Sequence, residues 1–143
     1  MREICVLALL SLVQSASALP PKRLAADELP KGSVILEGKA PGYLLVKVKD
    51  GKVVGFEAAT EKTGNVTVSF EKIKAGTMVT FKSRVAAAVK FDLYLSNDRQ
   101  QFTYTSSCPL GANLSLFENW PYPVPFLAIT SAGPAPATGG SCE

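Results

Sequence analysis

The chain has 143 residues, with 15 Lys or Arg and 12 Asp or Glu, so its formal net charge is +3. A charge this small does not indicate a nucleic-acid-binding domain, which normally carries a strong basic patch. The chain contains no histidine. This excludes Ser-His-Asp and Cys-His catalytic arrangements and every metal site that uses imidazole. The length suits a single domain of ordinary size.

The first eighteen residues have the pattern of an export signal. Arg2 supplies a positive charge, residues 4–13 are apolar, and residues 16–18 (Ala-Ser-Ala) match the small-x-small cleavage pattern. The apolar run is too short to cross a bilayer, which takes about 20 residues. We therefore expect cleavage after Ala18, a secreted or periplasmic mature chain, and no membrane span within it.

Export makes the cysteine pattern informative. Cys5 lies in the predicted signal, so the mature chain keeps Cys108 and Cys142. Two cysteines in an exported protein usually form a disulfide. Closing a loop of about 35 residues would stabilise the fold by about 3.8 kcal/mol through chain entropy. Two free thiols, or an intermolecular bond through Cys142, are the alternatives.

The mature chain begins with a proline-rich segment and continues with short alternating runs. Residues 19–32 contain three prolines and mixed charges, which predicts an extended lead-in with at most one helical turn near residues 24–28. Residues 33–107 then alternate apolar and polar residues between turn signals, the pattern of β-strands, and we expect residues 33–130 to form one domain. No stretch shows a helical period over three turns.

The clearest local prediction is a hairpin. Residues 42–49 and 52–60 are strand-like and are separated by Asp50-Gly51, a preferred type I′ turn. A two-residue loop pairs Lys49 with Lys52 and Lys47 with Val54, and it places Phe56 opposite Leu45, away from the face that carries Val46. Gly55 interrupts the second strand and indicates a bulge.

The remaining runs complete an all-β pattern. Their strands are predicted within residues 33–38, 65–71, 77–85, 86–96, 101–106 and 125–130. In the run at 101–106 we expect Phe102 and Tyr104 to face inward. About seven or eight short strands at this spacing favour an immunoglobulin-like β-sandwich, with a small closed barrel as the alternative. Residues 131–143 are rich in Pro, Ala and Gly and read as a tail tethered by Cys142.

The most distinctive segment is residues 117–126, FENWPYPVPF, with the only Trp, a Tyr, two Phe and three Pro. Prolines spaced by two keep the backbone extended and exclude it from a central strand. Rings on a stiff segment suit a stacking platform for a sugar or an anchor for a protein. The candidate binding residues are Phe117, Glu118, Trp120 and Tyr122. The competing interpretation is that Trp120 and Phe126 fill one end of the sandwich while Tyr122 packs on its rim.

The remaining candidates are one acidic residue and two possible glycosylation sites. Glu118 is expected either to pair with a lysine of the 47–52 hairpin or to lie exposed on the rim. No phosphate-binding, dinucleotide-binding or CxxC motif occurs, so we expect no cofactor and no metal. Asn65 and Asn113 stand in N-glycosylation sequons, which matter only in a eukaryotic source.

These patterns favour an exported, non-catalytic binding domain, expected to be a monomer. Its partner would be a protein, a peptide or an envelope polysaccharide. A second hypothesis is an inhibitor of a secreted hydrolase that presents residues 109–123 as a rigid loop. A third is a hydrolase that uses carboxylates alone, which would need two of them converging in one pocket.

Overall fold

A computed structural model describes residues 21–135 of the chain. In this part there is no α-helix; ten strands and one 3₁₀ turn, Ala26–Glu28, account for the regular structure. The strands are β1 (Arg23–Ala25), β2 (Val34–Glu37), β3 (Gly42–Lys49), β4 (Lys52–Ala58), β5 (Val66–Ile73), β6 (Gly76–Ser83), β7 (Val89–Ser96), β8 (Gln101–Thr105), β9 (Ser115–Trp120) and β10 (Phe126–Pro134).

The strands form two antiparallel sheets of five. Sheet A has the order β1-β8-β7-β10-β2, and sheet B has the order β4-β3-β5-β6-β9. Two separate sheets confirm the predicted all-β sandwich in preference to the closed barrel. The strands outnumber the predicted seven or eight because the lead-in contributes β1 and the aromatic segment contributes β9, neither of which was expected to pair.

The main core lies between the sheets, where alternating side chains of both meet. Sheet B contributes Leu44, Val66, Val68, Val79 and Phe81, and sheet A contributes Val89, Phe91, Leu93, Leu127 and Ile129. All ten are at most 2% exposed. Phe81 and Phe91 stack across the two sheets with ring centroids 5.7 Å apart. Burial of such side chains stabilises each by about 1.5–3 kcal/mol relative to exposure.

The β3–β4 hairpin has the predicted turn, with Lys49 opposite Lys52 and positive φ angles at Asp50 (52°) and Gly51 (74°). One step from the turn the register shifts, and Gly55 instead of Val54 lies opposite Lys47. The predicted Lys47–Val54 pairing is therefore wrong. The extra residue also moves Phe56 opposite Val46, onto the core face. The prediction that placed it beside Leu45 is wrong for the same reason.

β8 is oriented opposite to expectation. Phe102 and Tyr104 pack with Tyr94 in a second cluster on the outer side of sheet A, under Leu24 and Leu29 of the lead-in. Tyr94 donates its hydroxyl to the carbonyl of Pro21 at 2.9 Å. The predicted inward orientation of Phe102 and Tyr104 is wrong because the lead-in supplies a second apolar layer.

β10 continues to Pro134, past the predicted end at Thr130, and pairs with β7 as far as Pro134 opposite Val89. The pairing shifts by one residue between Ile129 and Ser131. The signal segment, Ala18 and Cys142 lie outside the described residues. Within residues 21–135, no helix has the length and hydropathy to cross a bilayer.

Candidate functional site

The three prolines of the aromatic segment form the connection between the two sheets. β9 ends at Trp120, directly before Pro121, and β10 begins at Phe126, directly after Pro125. Proline has no N–H for a sheet ladder, so the strands end at the first and last prolines. We call residues 121–125, PYPVP, the proline ridge.

The ridge is held against sheet B by one buried hydroxyl. Thr77 Oγ1 donates to the carbonyl of Tyr122 at 3.1 Å and accepts from the N–H of Val124, also at 3.1 Å. At its far end the N–H of Gly38 donates to the carbonyl of Pro125 at 2.8 Å. The ridge is therefore fixed at three backbone positions.

A glycine allows this close approach. Gly76 has φ 145°, and a Cβ at that position would lie 2.0 Å from the carbonyl oxygen of Trp120. No real Cβ tolerates such a contact with backbone, so the end of β9 and the start of the ridge require glycine here.

Trp120 is part of the core. Its side chain is 7% exposed and belongs to the cluster between the sheets. The indole Nε1 donates to Thr105 Oγ1 at 3.3 Å. For Trp120 this arrangement matches the competing interpretation, in which it fills the sandwich, and its ring offers no exposed face for stacking. For Phe126 that interpretation is wrong, because Phe126 packs against the second cluster on the outer side of sheet A.

The other three predicted binding residues point in different directions. Phe117 faces outward from sheet B opposite Thr80 and is 58% exposed, and Tyr122 on the ridge is 48% exposed. Glu118 is half-buried, and its Oε1 accepts the N–H of Cys108 at 2.9 Å. The predicted ion pair with the 47–52 hairpin is wrong, because β9 and β4 lie at opposite edges of sheet B. Phe117, Glu118, Trp120 and Tyr122 therefore do not form one site.

A cleft of about 440 Å³ opens between the sheets beside the ridge, and we call it the polar cleft. Thr103 and Thr105 lie opposite Leu95 and Leu93, so they face the other sheet. With Gln101 they form one wall, and Tyr122 and Val124 form the facing wall. Because β8 buries its aromatic side chains on the outer face, it presents hydroxyl and amide groups on the inner one.

The β7–β8 turn forms one end of the polar cleft. Asp98 Oδ1 accepts the N–H groups of Gln101 at 3.0 Å and Gln100 at 2.8 Å, and the Ser96 hydroxyl at 3.1 Å. The bonds from Gln101, Gln100 and Ser96 hold the pKa of Asp98 below its usual value. This carboxylate is engaged by the turn. In contrast, the side chains of Asn97, Gln101 and Thr103 form no hydrogen bond with the described residues.

A second cleft of about 470 Å³ lies on the other side of the ridge. Phe70, Ile73 and Pro125 contribute apolar lining, and the exposed Lys72 and Lys74 also line it. We call it the lysine-rimmed cleft. Tyr122, Pro123 and Val124 line both clefts, so the ridge is their shared wall.

Residues 109–123 do not form the projecting loop that the inhibitor hypothesis requires. Leu110 is fully buried and exchanges two backbone hydrogen bonds of 2.8 Å with Val89. Residues 115–120 are β9, paired along its length with β6. No observation here therefore favours an inhibitor.

The two sequons have different surroundings. Asn65 uses its side-chain amide as a strand would, accepting the N–H of Val46 at 2.8 Å and donating to its carbonyl at 2.9 Å. Asn113 is exposed in a turn at φ 55°. Asn65 is therefore a structural residue, and only Asn113 has an unoccupied amide.

The predictions about the disulfide and about metal binding can be compared only with residues 21–135. The predicted Cys108–Cys142 bridge stays a prediction, because Cys142 lies outside residues 21–135. Among those residues, no group of three or more His, Cys, Asp or Glu side chains is placed to hold a metal ion.

Thr103, Thr105 and Gln101 were not among the residues that sequence reasoning selected. Their alternation with Phe102 and Tyr104 was visible, but alternation does not say which face meets the other sheet. The one available signal was the pair of leucines in the lead-in, Leu24 and Leu29, which needed an apolar surface to pack against.

Comparison with known proteins adds no assignment, since no protein-family model, curated protein or solved structure matches the chain.

Proposed function

We propose that the protein is an exported, monomeric, non-catalytic domain that binds a polysaccharide in the polar cleft. One observation carries the proposal: the face of β8 that meets the other sheet bears Thr103 and Thr105, with Gln101 beside them. In a sandwich that only needed stability, apolar side chains would occupy such positions. A hydroxyl-lined cleft instead suits a ligand that is rich in hydroxyl groups.

The lining favours a saccharide over a protein or a peptide. Hydrogen-bonding groups fix the orientation of a small ligand in a concave site, and Thr103, Gln101 and Asn97 supply such groups. Tyr122 adds a half-exposed ring on the facing wall, on which the apolar face of a sugar ring packs. Protein interfaces have a mainly apolar and aromatic centre instead, whereas Ser, Thr, Asn, Gln and Asp side chains alternate with the apolar ones in the polar cleft.

The distribution of carboxylates supports binding without catalysis. Glycoside hydrolysis needs two carboxyl groups on either side of the bond that breaks. The polar cleft is lined by Asp98 and the lysine-rimmed cleft by Glu71, one carboxylate each. Asp98 also accepts the three turn hydrogen bonds described above, which oppose its protonation. Neither cleft therefore offers an acid–base pair.

Export remains part of the proposal and has its own measurement. The signal pattern predicts an intact mass that corresponds to residues 19–143 after secretion. Peptide mapping without reducing agent should give one linked pair that joins Cys108 to Cys142. An unprocessed protein with both thiols free would contradict export to an oxidising compartment.

Tryptophan emission tests the binding proposal directly. Trp120 is unique in the chain, and its indole donates to Thr105, which lines the polar cleft. A bound sugar that contacts Thr105 should therefore change the emission. The probes are hexasaccharides of neutral and acidic polysaccharides, titrated at constant ionic strength and checked by calorimetry.

Two variants and a control locate the site. Thr103→Val keeps the side-chain shape and removes one hydrogen bond, which should weaken binding by about three- to tenfold. Tyr122→Ala removes the ring and should weaken it by a similar factor, about three- to tenfold. Phe117→Ala removes a ring that is somewhat more exposed, on the outer face of sheet B, and should leave binding unchanged. If no hexasaccharide binds by either method, the proposal is wrong.

A further inference from the structure

We infer that the ligand is an acidic polysaccharide whose chain crosses the proline ridge at Tyr122, with hydroxyl groups of one sugar in the polar cleft and the carboxylate of another in the lysine-rimmed cleft. The inference rests on the proposed saccharide-binding function and adds the charge of the ligand, its minimum length and its path across the ridge. It depends on the wall that the two clefts share and on the different charges of their lining residues.

The shared wall indicates a chain longer than one or two sugars. Tyr122, Pro123 and Val124 line both clefts, and Tyr122 is about half exposed at the crest between them. A monosaccharide occupies one cleft only. A polymer that enters the polar cleft and continues past Tyr122 arrives in the second cleft.

The wall is rigid enough to serve both clefts at once. Thr77 holds the backbone of Tyr122 and Val124, and the ridge packs on Gly76 where no side chain would fit. Prolines on both sides of Tyr122 restrict φ further. Binding therefore orders little of the protein, which favours recognition of an extended chain.

The charges differ between the clefts. The polar cleft is lined by Asp98 and by no lysine or arginine, whereas the second is lined by Lys72 and Lys74 against one carboxylate, Glu71. The ion pairs of residues 21–135 are Lys47 with Glu57 and Arg99 with Glu37. Lys72 and Lys74 thus have no acidic partner in this part of the chain and are available for a ligand carboxylate.

The apolar walls fit the remainder of a sugar acid. Phe70, Ile73 and Pro125 line the lysine-rimmed cleft and offer surface to the C–H face of a pyranose ring. Both lysines are exposed, so a ligand carboxylate that they bind stays partly hydrated. A uronate residue combines these two features, so uronate polymers are the class that the pair of clefts selects.

The experiment uses matched ligands that differ only in charge. Hexamers of galacturonate, mannuronate and hyaluronan are each compared with the same hexamer after reduction of its carboxyl groups to alcohols. At least one acidic hexamer should bind about four- to twenty-five-fold more tightly than its reduced form, from two exposed ion pairs of about two- to fivefold each. Added salt should diminish the difference.

Two matched pairs of substitutions test whether Lys72 and Lys74 bind the ligand carboxylate. Lys72→Gln with Lys74→Gln should remove the preference for the acidic hexamer and leave the affinity for the reduced one unchanged. Lys49→Gln with Lys52→Gln alters the net charge equally at the β3–β4 turn, which lines neither cleft, and should preserve the preference. An acid preference that survives the first pair of substitutions overturns the inference.

The remaining outcomes separate the two proposals. If acidic and reduced hexamers bind equally, the charge inference fails while saccharide binding stands. If the disaccharide of the best ligand binds as tightly as its hexamer, the chain does not cross the ridge and the inference fails. If nothing binds, saccharide binding and the inference fail together.

Discussion

At the scale of single residues, polar side chains satisfy the backbone where strands cannot pair. Thr77 bonds the proline ridge, Asn65 bonds both backbone groups of Val46, and Glu118 accepts the N–H of Cys108. A buried backbone group without a partner would be unfavourable by a few kcal/mol. In residues 21–135, every buried side-chain nitrogen or oxygen also has a partner. These side chains are therefore as structural as the core.

Thr77→Val tests this role on the ridge. Valine has the same shape but leaves the Tyr122 carbonyl and the Val124 N–H without a partner, so the free energy of unfolding should fall by about 1–3 kcal/mol. Denaturation in urea measures the change. The control is Thr80→Val on the same strand, whose side chain faces outward and should change stability by less than about 0.5 kcal/mol. Equal effects of both substitutions would contradict the role of Thr77.

The carboxylate of Asp98 in the β7–β8 turn should make the free energy of unfolding depend on pH. Hydrogen bonds from Gln101, Gln100 and Ser96 lower the pKa of Asp98 in the folded state, so the charged form stabilises the fold. This contribution is fully present above the ordinary pKa of 3.8 and is lost as the pH falls through the lower folded value. Carboxyl ¹³C titration by NMR should give Asp98 a midpoint below 3.8, its ordinary value.

An Asp98→Asn variant isolates that contribution in the stability profile. The asparagine oxygen still accepts turn bonds but does not titrate. The difference in unfolding free energy between wild type and variant should be constant well above the ordinary pKa of 3.8 and should shrink as the pH falls below it and through the lower folded value. A difference that does not vary with pH would show that Asp98 acts through shape alone.

At the scale of elements, the sequence pattern locates strands better than it orients them. The alternation at residues 42–49 and the Asp50-Gly51 turn predict the hairpin and its first pair. The bulge beyond Val53 then reverses the faces of all later residues in β4, because the side-chain period is two. Gly55 indicated a bulge, but β4 also packs against β10 of the other sheet, a contact that the local sequence does not contain.

The same limit applies to β8 and to the candidate site. Phe102 and Tyr104 look like core residues, and they are buried, but in the layer beneath the lead-in. That Thr103 and Thr105 face the other sheet can be inferred only once the apolar cover on the outer face is known. The ridge itself was partly predictable, since the spacing of three prolines excludes a central strand. The sequence around Trp120 left two interpretations open, a binding platform and a place in the core, and the structure has the second.

The orientation of β8 predicts unequal effects of neighbouring substitutions. Phe102 is fully buried, so Phe102→Ala should lower the free energy of unfolding by about 3–5 kcal/mol. Thr103→Val on the opposite face should change it by less than about 0.5 kcal/mol, because that side chain is exposed in the polar cleft. Urea denaturation of the two variants is the measurement. A destabilising Thr103→Val beside a tolerated Phe102→Ala would reverse the assigned faces.

At the scale of the whole molecule, the lead-in adds both an edge strand and an apolar cover to sheet A. β1 lies at the edge beside β8, with Leu24 opposite Phe102, and Ala26 and Leu29 pack against the cluster on the outer face. The carbonyl of Lys22 accepts the N–H of Tyr104 at 2.8 Å. This cover buries the aromatic side of β8, and that burial leaves the strand's polar side for the cleft. The lead-in thus acts on the proposed site from the opposite face of the sheet.

Shortening the chain from its beginning tests this link between cover and cleft. A chain that starts at Leu19, the predicted mature end, keeps every lead-in contact described here and should match the full chain in stability. A chain that starts at Ala26 loses β1, the cover of Leu24 over Phe102 and the bond to Tyr104. It should be less stable by about 2 kcal/mol, close to the burial of one leucine. Phe102 and Tyr104 would then meet water, so the shorter chain should also bind an apolar dye that the longer one excludes. Equal stability and no dye binding would mean that β8 does not depend on the lead-in for its orientation.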